Sequence, residues 1–497
     1  MPLSASRLRI LVASLLAVSF LGALDHTIVS TSLATIAGEV GALEAMSWVV
    51  VGYTLAATVL LPVIGALGDA LGPRRVFLVS LALFVVASLA CGFAQDMVQL
   101  VAARVVQGTS SAGLQLMSQT IVAHVTTPRE RPRQLAVIGA AFPVAILVGP
   151  LLGGAITEYW GWPWVFWINA PVGLAALAFA SVAIPHIDPG SRRGLDVPGS
   201  VAFTVAMIAL VLGVTWFPDP RLTAAAWACL GFAVVGMAAF AMIELRSPAP
   251  LIPLRLFRMR AVSASVALSA VIGIGLFSVV SYLPTFFQMA ARTSVTVSGL
   301  VPIATVFGML VSNLATGWLV ARTGRYRAYP VMGTALGAAG LLTMAVLPVG
   351  LPLWVPALAM FVVGVGTGAF MNLIIAVAQG SVARDRMGSV TAVVNLTRQV
   401  GATTGTAVIG GVIAAGVAAG LGGSFDTSTL TPQLVHAAPA AVQAEVAAVY
   451  QAAFAPVFAA LACVYAAGVV AALFLPATRL GDDAPAPLPA DDAPVAA

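Results

Sequence analysis

The chain has 497 residues, 60% of them hydrophobic and only 8% charged, whereas a water-soluble surface needs roughly a quarter charged residues; a soluble domain is excluded and the solvent is lipid. A net charge of +5 would direct a soluble protein to nucleic acid, but here the basic residues fall in short loops, where they set membrane orientation. Every basic residue is Arg and none is Lys, which excludes a Walker A lysine, a Schiff-base lysine and a catalytic amine, and with them ATP hydrolysis by this chain.

Apolar runs of about 20 residues, the length that crosses a hydrocarbon core of ~30 Å, recur along the chain with short polar joints. Arg7 and Arg9 before Ile10 to Leu24 imitate a signal peptide, but the apolar pattern continues to about Ala37, so an uncleaved first helix is expected. In chain order the spans are 8–33, 47–70, 76–95, 98–124, 135–156, 163–185, 197–217, 222–244, 261–285, 297–320, 328–348, 352–378, 389–418 and 452–476, fourteen in all. The Ala-rich stretch 421–451 is expected to be an outer loop with a surface helix, and no segment is left for a soluble catalytic domain. Cys91, Cys229 and Cys463, like His26, His124, His186 and His436, are scattered, so neither a disulfide framework nor a metal site is suggested.

With the N-terminus inside, sixteen arginines fall in inner loops, from Arg74 and Arg75 to Arg384 and Arg386, against Arg221 and Arg292 outside. The outer side carries Glu39, Glu44, Asp96, Glu158, Asp219, Asp426 and Glu445 instead; Arg192 and Arg193 are among the inner arginines. The positive-inside rule therefore places both termini in the cytoplasm, with the chain multi-pass in a cell inner membrane. One internal repeat is visible: Gly65-Ala-Leu67-Gly-Asp69 with Gly72 and Arg74-Arg75 is echoed by Gly317-Trp-Leu319 with Gly324 and Arg325. Its spacing predicts an all-α polytopic protein of two six-helix halves, 1–186 and 261–476. An inserted helix pair lies in 187–260, and a disordered tail rich in Ala, Pro and Asp in 477–497.

Several motifs fall in order on these spans: Leu24-Asp25-His26-Thr27 in the first, Gly65 to Arg75 after the second, Arg104-Val-Val-Gln107-Gly108 in the fourth, Gly149-Pro150-Leu-Leu-Gly153-Gly154 in the fifth, Trp162 to Gly173 around the sixth and Arg398-Gln399-Val-Gly401 in the thirteenth. Together they resemble the major facilitator superfamily, and within it the fourteen-span drug:proton antiporters of the EmrB/QacA type, over essentially the whole chain. The resemblance implies the major facilitator fold, a proton-linked Arg104, an antiporter motif in Gly149, Pro150, Gly153 and Gly154, and a conformational latch in Gly65, Asp69, Gly72, Arg74 and Arg75. Ala70, Pro73 and Pro163 stand where that family usually has arginines, and Ala321 where the repeat would have its acid.

The residues carry their own chemistry. Asp25 is the one carboxylate well inside a span, and an ionised carboxylate in hydrocarbon is costly enough that it is functional or paired. At about 1.5 Å of rise per residue, Asp25 and Arg104 reach a similar depth from opposite sides. They form either a proton-coupling site, in which proton and substrate compete, or a tie that only holds helices together. Gln107, Gln115, Gln119, Asn372, Asn395 and Arg398 are polar residues within spans, candidates for a substrate cavity or for interhelical bonds. Asp69, at the inner end of span 2, is a candidate for a charge–dipole contact with a helix N-terminus of the other half.

The expected activity is proton-coupled efflux of small lipophilic compounds (drugs, antibiotics or toxic cations) by alternating access, without enzymatic chemistry or cofactor and driven by the proton gradient. The expected partners are that substrate, protons and the bilayer, with no nucleic acid and a functional monomer. The rivals are an importer of sugars or organic acids on the same fold and a non-transporting membrane sensor.

Overall fold

The computed structural model describes residues 5–41, 46–187, 196–217, 221–247, 250–348, 350–422 and 431–481. Glu44, Arg192, Arg193, Asp219, Asp426 and the tail from 482 lie outside the described residues. Backbone in hydrocarbon must satisfy its own polar groups, and the apolar runs accordingly fold as helices. In chain order these are α1 Ala5–Val40, α2 Met46–Val59, α3 Leu61–Leu71, α4 Pro73–Gly92, α5 Met97–Val125, α6 Arg131–Gly139, α7 Ala141–Trp160, α8 Pro163–Trp167, α9 Asn169–Ala183 and α10 Val197–Trp216. They continue with α11 Thr223–Arg246, α12 Arg260–Ile272, α13 Ser278–Met289, α14 Val295–Thr323, α15 Ala328–Val346, α16 Trp354–Met371, α17 Leu373–Gly380, α18 Met387–Leu421, α19 Pro432–Ala437 and α20 Ala440–Leu473.

Among the described residues, 12 helices are long and apolar enough to cross a membrane, or 13 if a bent pair is one span. That pair is α2 and α3, the predicted span 47–70, which bends by 46° at Leu60. Pro62, just inside α3, has no backbone N–H to continue the ladder. The predicted span 98–124 is the 29-residue α5; it is not among the twelve, because Gln99, Arg104, Gln107, Gln115 and Gln119 dilute its apolar character. Predicted spans 135–156 and 352–378 are likewise each two helices, α6 with α7 and α16 with α17, broken at Ala140 and Asn372. A π-helical turn, Gly273–Phe277, joins α12 to α13. The expected outer loop 421–451 holds the short α19, and α20 starts already at Ala440.

The helices α1, α2, α4, α5, α7 and α9 pack mainly on one another, as do α12, α14, α15, α16, α18 and α20, while α10 and α11 pack chiefly together. With α3 and α6 counted in the first of the two larger sets and α17 in the second, the sets meet where α3 lies on α18, α6 and α7 on α14, α6 on α17, and α5 on α18. Gly72, at φ 90°, makes the turn from α3 into α4 in a region where a side chain is strained. Within the stretch expected to be disordered, residues 478–480 are tied to the loop after α14: Leu480 N donates to Gly324 O at 2.9 Å, and the Tyr326 and Thr478 hydroxyls lie 3.3 Å apart.

Candidate functional site

Two polar clusters stand out. The first is wholly inside the α1–α9 set. Asp25 on α1 is 0% exposed, and its Oδ2 accepts from Arg104 Nη1 of α5 at 2.6 Å, Arg104 being 1% exposed. Asp25 Oδ1 accepts from Gln107 Nε2 and from Asn169 Nδ2, both at 2.8 Å. Ser88 Oγ on α4 accepts from the same two amides, at 3.1 and 2.9 Å, and donates to Phe166 O at 2.9 Å. Arg104 also donates to Val49 O at 3.2 Å and to Gln107 Oε1 at 2.8 Å, with its guanidinium carbon 4.1 Å from the Tyr53 ring centre. Every bond to the Asp25 carboxylate is a donor, the arrangement that suits the anion, and the pair is desolvated together with its partners rather than alone.

The sequence brought Asp25 and Arg104 to one depth, and the structure brings them into contact. Gln107, a cavity candidate from sequence, belongs to this cluster and is fully buried in it. Asn169 and Ser88 are the members that the sequence did not single out as site residues, Asn169 standing only within the Trp162 to Gly173 motif and Ser88 as a small polar residue in an apolar span.

The second cluster ties the two helix sets together. Asp69 on α3 accepts from Gly388 N and Ser389 N at 2.8 Å each and from Ser389 Oγ at 2.7 Å, so its carboxylate caps the N-terminus of α18. The positive end of the helix dipole favours an acid there. Gly65, one turn away, allows the approach: a Cβ on it would lie 2.7 Å from the Ala392 Cβ and 2.9 Å from Gly388 O. Arg74 instead donates to Ser181 O at 2.6 Å and Arg75 is exposed, so of the latch motif only its glycine and its acid reach α18. At the C-terminus of α14, Arg129 donates to Ala321 O at 3.0 Å and to Arg322 O at 2.6 Å, a basic counterpart to Asp69 that the sequence did not reveal.

Behind these caps run Asn313 Nδ2 to Ala136 O at 2.9 Å, Asn372 Nδ2 to Asn313 Oδ1 at 3.0 Å, Gln379 Nε2 to Gln119 O at 3.2 Å and Asn395 Nδ2 to Gln119 Oε1 at 2.7 Å. Arg398 follows one turn along α18 and donates to Asn395 Oδ1. These hydrogen bonds between the two large helix sets gather at one end of the molecule. Residues 387–396 of α18 are buried on every side, and partly exposed residues begin at Thr397. Gln115 on α5 is exposed although residues 116–123 beyond it are buried. Of the α7 motif, Gly149 and Gly153 lie against Thr27, Ile28 and Thr31 of α1, where Thr27 Oγ1 donates to Ala145 O at 3.1 Å; Pro150 and Gly154 are exposed.

Two bodies of helices, joined edge to edge by a seam at one end, with a desolvated ion pair inside one of them, define a helical membrane transporter. The sequence model of the Major Facilitator Superfamily matches residues 15–406, and the chain belongs to that family. An MFS-type transporter of Mycobacterium tuberculosis is 33% identical over 497 residues, covering 97% of this chain and 72% of that protein. The multidrug transporter protein MdtP of Bacillus subtilis is 28% identical over 432 residues, covering 86% of this chain and 79% of that protein. Among solved structures, a proton:xylose symporter of the same superfamily superposes with a TM-score of 0.62 at 14% identity, covering 96% of this chain and 98% of that one, a likeness of fold. The protein is thus a multi-pass membrane transporter.

Proposed function

We propose that this transporter exports small lipophilic compounds in exchange for protons, as a fourteen-span member of the drug:proton antiporter type. The observation that carries the reading is the one-ended seam: Asp69 and Gln119 bind α18 across the two helix sets at one end only, the geometry of one state of an alternating-access cycle. Adding α5 and the bent α2–α3 pair to the twelve apolar helices gives fourteen spans, an even number that keeps both termini on one side. On this reading residues 1–186 and 261–476 are the two moving halves and α10 and α11 the inserted pair. The seam end is cytoplasmic, and the state is closed to the cytoplasm.

Asp25 supplies the proton site. In the present state it accepts only donors and has no exposed surface, so proton uptake requires Arg104 to withdraw and α1 to shift against α5. That obligation links protonation to conformation. Gly149 and Gly153 let α7 lie flat on α1 and keep the path sealed during exchange. A relative named as a multidrug transporter favours export over import. Purified protein in proteoliposomes with an imposed pH gradient tests this: a lipophilic dye is expected to move against the proton flow and to stop when the gradient is collapsed. Movement of dye in the direction of the protons supports the importer, and no movement supports a sensor.

A further inference from the structure

Arg398 is 4% exposed, is held by Asn395, and pairs with no carboxylate among the described residues. An unpaired cation this deep in a span is expensive and is kept only where something compensates it. Asp25 is not that partner, because Arg104, Gln107 and Asn169 occupy its oxygens.

The surroundings of Arg398 describe what would be. The Gln119–Asn395 bond is the last polar tie of the seam before α18 becomes partly exposed. Arg398 is three residues beyond Asn395, and Gln115 is four residues before Gln119 on α5. Because α5 ends at the seam and α18 begins there, both steps lead the same way, one turn out from the tie. The backbones of Arg398 and Gln115 therefore lie at a similar level, one turn out from the tie, with Gln115 exposed and the Arg398 guanidinium turned back to Asn395. The π-helical turn Gly273–Phe277 packs on α18 at this level, with Gly273 against the Arg398 carbonyl. It carries Phe277, whose ring meets Phe142 of the opposite helix set at 5.9 Å between centres. A cation, an exposed amide and an aromatic pair that spans the two helix sets thus gather just beyond the seam.

We propose that Arg398, with Gln115 at the same level on α5, is an anion-reading subsite, and that the preferred substrates are lipophilic carboxylates: an aromatic or aliphatic body carrying one negative group. This deepens the export reading and rests on it only for the direction of movement, since the subsite is defined by binding. A planar guanidinium takes a carboxylate by charge-assisted hydrogen bonds, bonds an amide carbonyl more weakly, and repels a protonated amine by its charge.

The test is equilibrium binding to the purified protein in detergent, with three probes of one body: 2-naphthylacetate, 2-naphthylacetamide and 2-naphthylethylamine. The carboxylate is expected to bind roughly tenfold or more tightly than the amide, the amine more weakly still. Arg398→Gln should remove the preference, so that carboxylate and amide bind with affinities within about threefold of each other, and Arg398→Lys should keep part of it. Gln115→Glu retains the arginine but sets a negative charge at its level, so it should also abolish the carboxylate preference and raise amine binding, which covers the case of an Arg398→Gln protein that does not fold. A carboxylate that binds no tighter than the amide, including one that does not bind at all, overturns the proposal, as does a preference that survives either substitution. If transport in proteoliposomes proves not to be proton-driven while these preferences hold, the export mechanism fails and the subsite stands.

Discussion

Asp25 shows how a charge is kept in hydrocarbon: three donors converge on its carboxylate, one of them an arginine that neutralises it. Removing one partner of a buried pair strands the other and costs about 3–5 kcal/mol. Asp25→Asn should therefore lose substrate-driven proton release and also melt lower, because Arg104 remains. Adding Arg104→Gln should restore much of the melting temperature without restoring proton release, which separates coupling from structure; full proton exchange in purified Asp25→Asn protein would refute the role. Asn169→Ala removes donors to both Asp25 and Ser88, and a hydrogen bond to a charged group is worth roughly 1.5–3 kcal/mol. A lower melting temperature with altered proton-release kinetics is the expected outcome, read by thermal denaturation and a pH-sensitive dye. The pair itself was legible in the sequence, since an acid and a base inside apolar runs have few ways to coexist. Its amide partners were not: Gln107 and Asn169 read like any polar residue that joins helices, and the rotation of α5 and α9 that aims them at Asp25 follows from packing on α1 and α4 rather than from local pattern.

At the scale of elements, the seam is a contact between a short helix and the start of a long one. The acid of α3 and the dipole of α18 attract by about 1–2 kcal/mol, enough to change an equilibrium between two states roughly five- to thirty-fold. Asp69→Asn should slow turnover with little loss of substrate affinity. Gly65→Ala, which sets a methyl against Ala392 and the Gly388 carbonyl, should produce the same defect by steric means. The two together should be less than additive, since both act on one contact; an affinity loss as large as the turnover loss, measured by binding and vesicle transport on the same preparations, would assign Asp69 to the binding site instead. The reach of Asp69 to a helix N-terminus was foreseeable from an acid placed at a helix end beside arginines. The bend at Leu60 and the π-helical turn at Gly273 were not foreseen, because hydrophobic periodicity counts residues in a span and is blind to a single displaced turn. Arg129 was hidden for another reason: positive-inside topology accounts for any loop arginine, so nothing in the sequence marked this one as a cap on α14.

For the whole molecule, the question is whether the seam is a gate or permanent glue. A permanent interface would be expected to bond along its length, whereas here the hydrogen bonds between the helix sets gather at one end, and α18 passes from burial on all sides to partial exposure within three turns. Rocking about such a contact must break the Gln119–Asn395 bond, 2.7 Å long in this state, before the floor can open. Locking that pair therefore tests the cycle without touching Asp25 or Asp69. With Cys229 and Cys463 replaced by Ala and the buried Cys91 kept, Gln119→Cys and Asn395→Cys can be bridged by a short bifunctional thiol reagent. The bridged protein is expected to stop transporting while still binding substrate from the side opposite the seam, and reduction of a cleavable bridge should restore turnover to the level of the unbridged double variant. Either single cysteine treated in the same way should keep its own untreated rate. Transport that continues at an unchanged rate in fully bridged protein would mean that the seam stays closed throughout the cycle, and the gate would have to be sought elsewhere.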